Sequence, residues 1–186
     1  MRIEVASDAA QFARLRGGVP TSPDVVASTT PAGLIVLSRS ALETLNVQGR
    51  RVVLAHEITH VILKQTTRAG LPKWVVEGSA EFTAYRFTDV SLSDATPVLT
   101  AAVRAGKAPS VPPGDASFSG STTQSAYQQA HGYMAFLVAR YGLSAWRRFV
   151  VATGEGTDNA FAESFSGAST QTLRPAYAAF LRRTIS

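Results

Sequence analysis

Short apolar runs bounded by turn residues fill the first 40 positions, and from residue 47 onward the apolar positions recur at helical spacing. Arg2–Ala6 reads as a first extended segment. Ser7 or Asp8 can cap a helix running to about residue 16, with Phe12 and Leu15 on one face, and Gly17, Gly18 and Pro20 end it. Residues 25–28 and 34–37 are β-prone and are separated by Thr30-Pro31-Ala32-Gly33, a hairpin-turn sequence. The span 47–65 carries Val52, Val53, Ile58, Val61 and Ile62 and predicts a buried helix. Pro72 suits the first turn of a second helix that runs to about residue 87. Further helices are predicted over 96–105, 124–141 with a stop at Gly142, 144–153, 157–165 and 169–183. The last of these places Leu173, Tyr177, Phe180 and Leu181 on one stripe. Residues 106–123, rich in Gly, Pro and Ser, read as a long loop, either an ordinary exposed one or a flap beside a cleft.

These elements predict an α+β fold in one domain over 1–186. Residues 1–45 form a small, mainly antiparallel sheet, 46–88 a helix pair, and 89–186 a helical lobe. Hydrophobic residues at 45% against 17% charged agree with a chain that buries a core and argue against a disordered one. No stretch reaches the ~18 apolar residues needed to span a bilayer, and the first residues lack the basic and apolar regions of a secretory signal. The chain contains no cysteine, so thiolate metal sites, iron–sulfur clusters, disulfides and a cysteine nucleophile are excluded. Any metal must be held by His, Asp or Glu. The net charge of +5 comes from scattered basic residues, paired only at Arg50-Arg51, Arg147-Arg148 and Arg182-Arg183. Nucleic-acid binding is therefore not expected, although a basic module for an anionic polymer or membrane surface would show itself by steeply salt-dependent binding.

The informative segment is Ala55-His56-Glu57-Ile58-Thr59-His60-Val61, an HExxH motif inside the helical span 47–65. Positions i and i+4 share a helix face, so His56 and His60 can converge on one Zn²⁺. Glu57 is rotated by about 100° from His56, and so reaches toward a water on the metal rather than toward the metal, as a general base must. Only three histidines exist and two fall in this motif. Two imidazoles leave a catalytic zinc one protein ligand short. A third histidine six residues after His60 would complete one known pattern, but Thr66 occupies that position. Glu77 lies on the next predicted helix, and an antiparallel helix pair would return it beside His56 and His60. Glu81, one turn later, can accept the far ring N–H of a zinc histidine and fix its tautomer. The plainer alternative is that Glu77 and Glu81 form a solvated acidic face, against which stand their apolar neighbours Trp74, Val75, Val76, Ala80 and Phe82. His131 is the remaining imidazole and the rival third ligand.

His56-Glu57-xx-His60 followed by Trp74-xx-Glu77-Gly78-x-Ala80 resembles the gluzincin metallopeptidases, and most nearly the peptidase MA-like group. The stretch Ala126-Tyr127-Gln128-Gln129-Ala130-His131-Gly132-Tyr133 is similar to the helix that follows the zinc helices in that group. The resemblance implies a zincin-like fold, one Zn²⁺ per chain on His56, His60 and Glu77, Glu57 as the base, and Glu81 in the position of an outer carboxylate. It also implies a Tyr or His that stabilises the oxyanion, here Tyr127 or His131, and a peptide or protein substrate. Members are often exported or membrane-tethered, so an extracytoplasmic location is expected from the same likeness. The expected function is hydrolysis of peptide bonds. A non-catalytic zinc domain with a structural or recognition role is the alternative.

Overall fold

The computed structural model describes residues 1–18 and 25–185. The expected helix terminator Pro20 lies outside the described residues. The chain is α+β, with a small mixed sheet at the N-terminus and helices after it. It divides into two compact units, Met1–Ala69 and Gly70–Ser186.

The first unit holds β1 (Arg2–Ala6), α1 (Ala9–Leu15), β2 (Ala27–Thr29), β3 (Leu34–Ser38), α2 (Arg39–Glu43) and α3 (Val47–Ile62). Asp8 caps α1 by accepting the Gln11 N–H. The Thr30-Pro31-Ala32-Gly33 turn closes the hairpin as expected. The Gly33 N–H donates to the Thr30 carbonyl at 2.9 Å, and Gly33 takes φ 75°, which its missing Cβ permits. The sheet order is β1-β3-β2. β2 pairs with β3 antiparallel, but β1 pairs with β3 in parallel, so the sheet is mixed rather than mainly antiparallel. Parallel neighbours need a crossover, and α1 lies in the connection that supplies it. The continuous apolar run of β3 follows from its central position, with Ile35 and Val36 fully buried. Ala6, Phe12 and Val36 pack together with Leu15, Val25 and Leu34 as the core.

Helix α3 begins at an Asn46 cap that accepts the Gly49 N–H and ends three residues before the expected stop. It is also less buried than its apolar content predicts. Its buried residues are Glu57, Thr59 and His60, while Ile62 is 71% exposed. A thin three-stranded sheet offers α3 little surface to pack on, and among the sheet strands it lies chiefly against β2.

The second unit is built on α4 (Lys73–Arg86) and α7 (Thr123–Glu155), with α5 (Leu92–Ala95), α6 (Pro97–Arg104), α8 (Ala160–Ser164) and α9 (Arg174–Ile185) around them. Helix α7 is broken at Gly142, whose φ of 82° and ψ of 161° divide it into two arms at the expected stop. Trp74, at the start of α4, meets Tyr133 at 5.4 Å and stacks on Phe149 at 5.7 Å, so it touches both arms. Leu99, Tyr133, Leu137, Phe165, Tyr177 and Leu181 complete the core. Burial pushes the phenols of Tyr133 and Tyr177 up, so both are neutral. The stretch expected to be a long loop contains two 3-10 turns, Asp115–Phe118 and Gly120–Thr122. It is tied down at two points. Phe118 is buried against Tyr127 at 5.6 Å, and Asp115 Oδ1 accepts the Lys73 N–H at 2.9 Å, capping the start of α4, where Pro72 offers no side chain for the task. Among the described residues no helix is long and apolar enough to cross a membrane.

Candidate metal centre

The helical spacing in α3 brings the two imidazoles together as expected. Nε2 of His56 and Nε2 of His60 face each other at 3.0 Å, with the ring planes at 81°. His60 is buried and His56 half-buried. The tautomer of His60 is fixed from behind, because its Nδ1–H donates to Gln65 Oε1 at 2.8 Å. That leaves Nε2 as an acceptor whose lone pair points toward His56.

Gln65 was not singled out from the sequence. It reaches His60 because of how α3 stops. The Gln65 N–H donates to the His60 carbonyl at 3.0 Å and the Lys64 N–H to the Val61 carbonyl at 3.2 Å, while Lys64 takes a left-handed φ of 52°. This is the Schellman arrangement of a helix C-terminus. It folds Gln65 back under the last turn, where its side chain meets the ring of the residue five positions earlier.

Glu77 is the third candidate. His56, His60 and Glu77 each offer one ligand atom, and these atoms all lie within 4.8 Å of one another. The group is close enough to bind a metal ion. Two neutral imidazole nitrogens and one carboxylate oxygen are a donor set that suits Zn²⁺. The outward nitrogen of one imidazole is already engaged, which is how metal-binding histidines are normally held. His131, the rival third ligand, is not a member of this group.

Glu57 is 7% exposed, and its Oε2 accepts a hydrogen bond of 2.6 Å from the hydroxyl of Thr29 at the end of β2. The sequence offered no sign of this contact, since a threonine ending a β-strand matches simple strand preference.

Glu81 and His131 share a neighbourhood in the second unit. His131, on α7, stacks on Tyr85 with ring centroids 5.3 Å apart, and Phe82 meets its edge at 6.4 Å. It is 4% exposed, and Nδ1 has no hydrogen-bond partner among the described residues. Burial pulls its pKa down to about 4, against a smaller opposing pull from the Glu81 carboxylate. Burial also raises the Tyr85 phenol, with Glu81 adding to the effect. His131 is therefore neutral at pH 7. Unfolding returns it to its ordinary value near 6.5, so between pH 6.5 and 4 the unfolded chain binds the proton first and stability falls as the pH drops. At about 1.4 kcal/mol per pKa unit, the loss is on the order of 3 kcal/mol at most. His131→Leu is expected to flatten the fall in unfolding free energy between pH 7 and 4.5. Equal slopes for the two proteins would refute the assignment.

Tyr127 is half-buried on the same helix, in a cluster with Phe118, Ala126, Ala130 and Trp74. Gly78 follows Glu77 on α4, at a point where α4 packs tightly against α7. A Cβ built on Gly78 would lie 2.9 Å from the carbonyl oxygen of Ala130. No protein-family model, curated protein or solved structure matches the chain.

Proposed function

We propose that the chain is a zinc-dependent peptidase of the gluzincin type, with His56, His60 and Glu77 as metal ligands and Glu57 as general base. The observation that carries the reading is the grouping of three ligand atoms within 4.8 Å, with a buried carboxylate on the residue beside the first ligand. Zinc bound there would supply Lewis acidity, polarising the scissile carbonyl and lowering the pKa of a water toward 7. Glu57 takes the proton of the attacking water, and the same carboxyl then passes it to the leaving amine. Gln65 keeps His60 in the tautomer that presents Nε2. Glu81 is the proposed acceptor for the far nitrogen of the other imidazole, His56. Of the two oxyanion candidates, Tyr127 suits the role better. A tyrosine hydroxyl donates a hydrogen bond without titrating near neutrality, whereas His131 is packed between aromatic rings. The substrate is a peptide or protein.

The experiment is metal analysis coupled to a cleavage assay. Zinc-loaded protein is expected to carry one Zn²⁺ per chain and to cleave members of a diverse peptide library. Dialysis against a chelator should abolish the cleavage, and added zinc should restore it. Stoichiometric zinc without cleavage would replace the peptidase by a non-catalytic zinc domain. Failure to bind zinc would end both readings.

A further inference from the structure

The hydroxyl of Thr29 lies 2.6 Å from Oε2 of Glu57 and 3.2 Å from the carbonyl oxygen of the same residue. The hydroxyl has one proton to give, and the shorter contact is in the range of a charge-assisted O–H···O⁻ bond. Thr29 is held at both ends. It pairs with Ile35 in the antiparallel ladder, and the next residue opens the hydrogen-bonded turn that leads to β3. Glu57, by contrast, projects from a helix on a side chain with three rotatable bonds, and nothing in its own sequence neighbourhood selects one orientation of the carboxylate.

The geometry points to Thr29 as the positioning residue for Glu57. By occupying Oε2 from a rigid strand, it fixes the plane of the carboxylate and leaves Oε1 to collect the proton. This inference rests on the peptidase reading, because it assigns a task to the base of that reaction. Thr29 itself touches no reacting atom. A base displaced by about 1 Å can lose on the order of 100-fold in rate, so a freely rotating Glu57 would be a poor catalyst. The arrangement also makes the hairpin part of the catalytic apparatus: the sheet edge and the HExxH helix are joined through this bond across 28 residues of chain.

Two variants separate the hydroxyl from the shape of the side chain: Thr29→Val keeps the branching and loses the donor, and Thr29→Ser keeps the donor. The first measurement needs neither metal nor activity. A double-mutant cycle of Thr29→Val with Glu57→Ala, read by denaturant unfolding of metal-free protein, is expected to show a coupling of about tenfold or more in the unfolding constant, as for a hydrogen bond to a charged group. The second uses zinc-loaded protein. Thr29→Val is expected to lower kcat by about 10–100-fold, with KM within about twofold and zinc stoichiometry unchanged, and Thr29→Ser to recover most of the loss. If Thr29→Val does not fold, Thr29→Ala against Thr29→Ser makes the same comparison. Additive effects in the cycle would overturn the contact. Coupling with wild-type kcat in Thr29→Val would overturn the positioning role. If zinc-loaded wild type cleaves nothing, the peptidase reading falls and takes this role with it, while the cycle separately reports whether Thr29 holds the carboxylate.

Discussion

Glu57→Gln is expected to lower kcat on a cleaved peptide by about 10²–10⁴-fold while zinc stays at one per chain. The amide matches the carboxylate in shape, and its oxygen can still accept the Thr29 hydroxyl that lies 2.6 Å from Oε2 in the native protein. The change therefore leaves packing in place and removes only the capacity to take up a proton. Metal retention is the control that gives the result its meaning. Glu57 is not among the three residues whose ligand atoms converge, so its substitution should not empty the site. Parallel measurement of kcat, KM and zinc content separates the possibilities. Wild-type turnover in Glu57→Gln would exclude the mechanism, and loss of metal would show that Glu57 has a structural part in the centre.

Gly78→Ala is expected to destabilise the protein, although helix propensity alone favours alanine by about 1 kcal/mol. Packing decides the sign. The new Cβ would stand 2.9 Å from the Ala130 carbonyl oxygen and 3.1 Å from both its carbonyl carbon and its Cβ. Most of these atoms are backbone inside the first arm of α7, and no rotamer change can move them aside. The two helices must separate, and overpacking of this kind costs about 1–3 kcal/mol. With contact on backbone the upper part of that range applies, which leaves a net loss of about 1–2 kcal/mol. For a chain of this size that is a fall in Tm of roughly 3–6 °C. Glu77 is the preceding residue and moves with the α4 backbone, so zinc affinity should fall along with stability. Calorimetry and zinc titration of the variant test both, and a raised Tm would show that α4 and α7 are not held so close.

Much of this was readable because the determining signals are local. The HExxH spacing needs only the helical repeat. Gly33 and Gly142 interrupt regular structure at positions that a positive φ requires, and Asp8 is a cap residue within three positions of the N–H group it satisfies. Several of the features that were missed depend on partners far along the chain. β1 contains no mark that distinguishes a parallel from an antiparallel neighbour, and the choice was made by the path of the chain through α1. Thr29 looks like any strand residue until α3 is laid against β2. The exposure of Ile62 follows from how little sheet there is to cover it, which periodicity cannot report. Helices α2 and α5, of five and four residues, are too short to display an amphipathic repeat. Asp115 could be recognised as the cap of α4 only once the 106–123 segment was seen to fold back on that helix.

The ending of α3 has a chemical consequence. Had the helix run on with regular geometry, residue 65 would sit about 140° around the axis from residue 60, out of reach of the imidazole. The single left-handed step at Lys64 cancels that rotation. The way the helix stops thereby sets the tautomer of a proposed ligand: a substitution that favours continuation through position 64 would unlatch the ring of His60 and let its single N–H proton move between the two nitrogens.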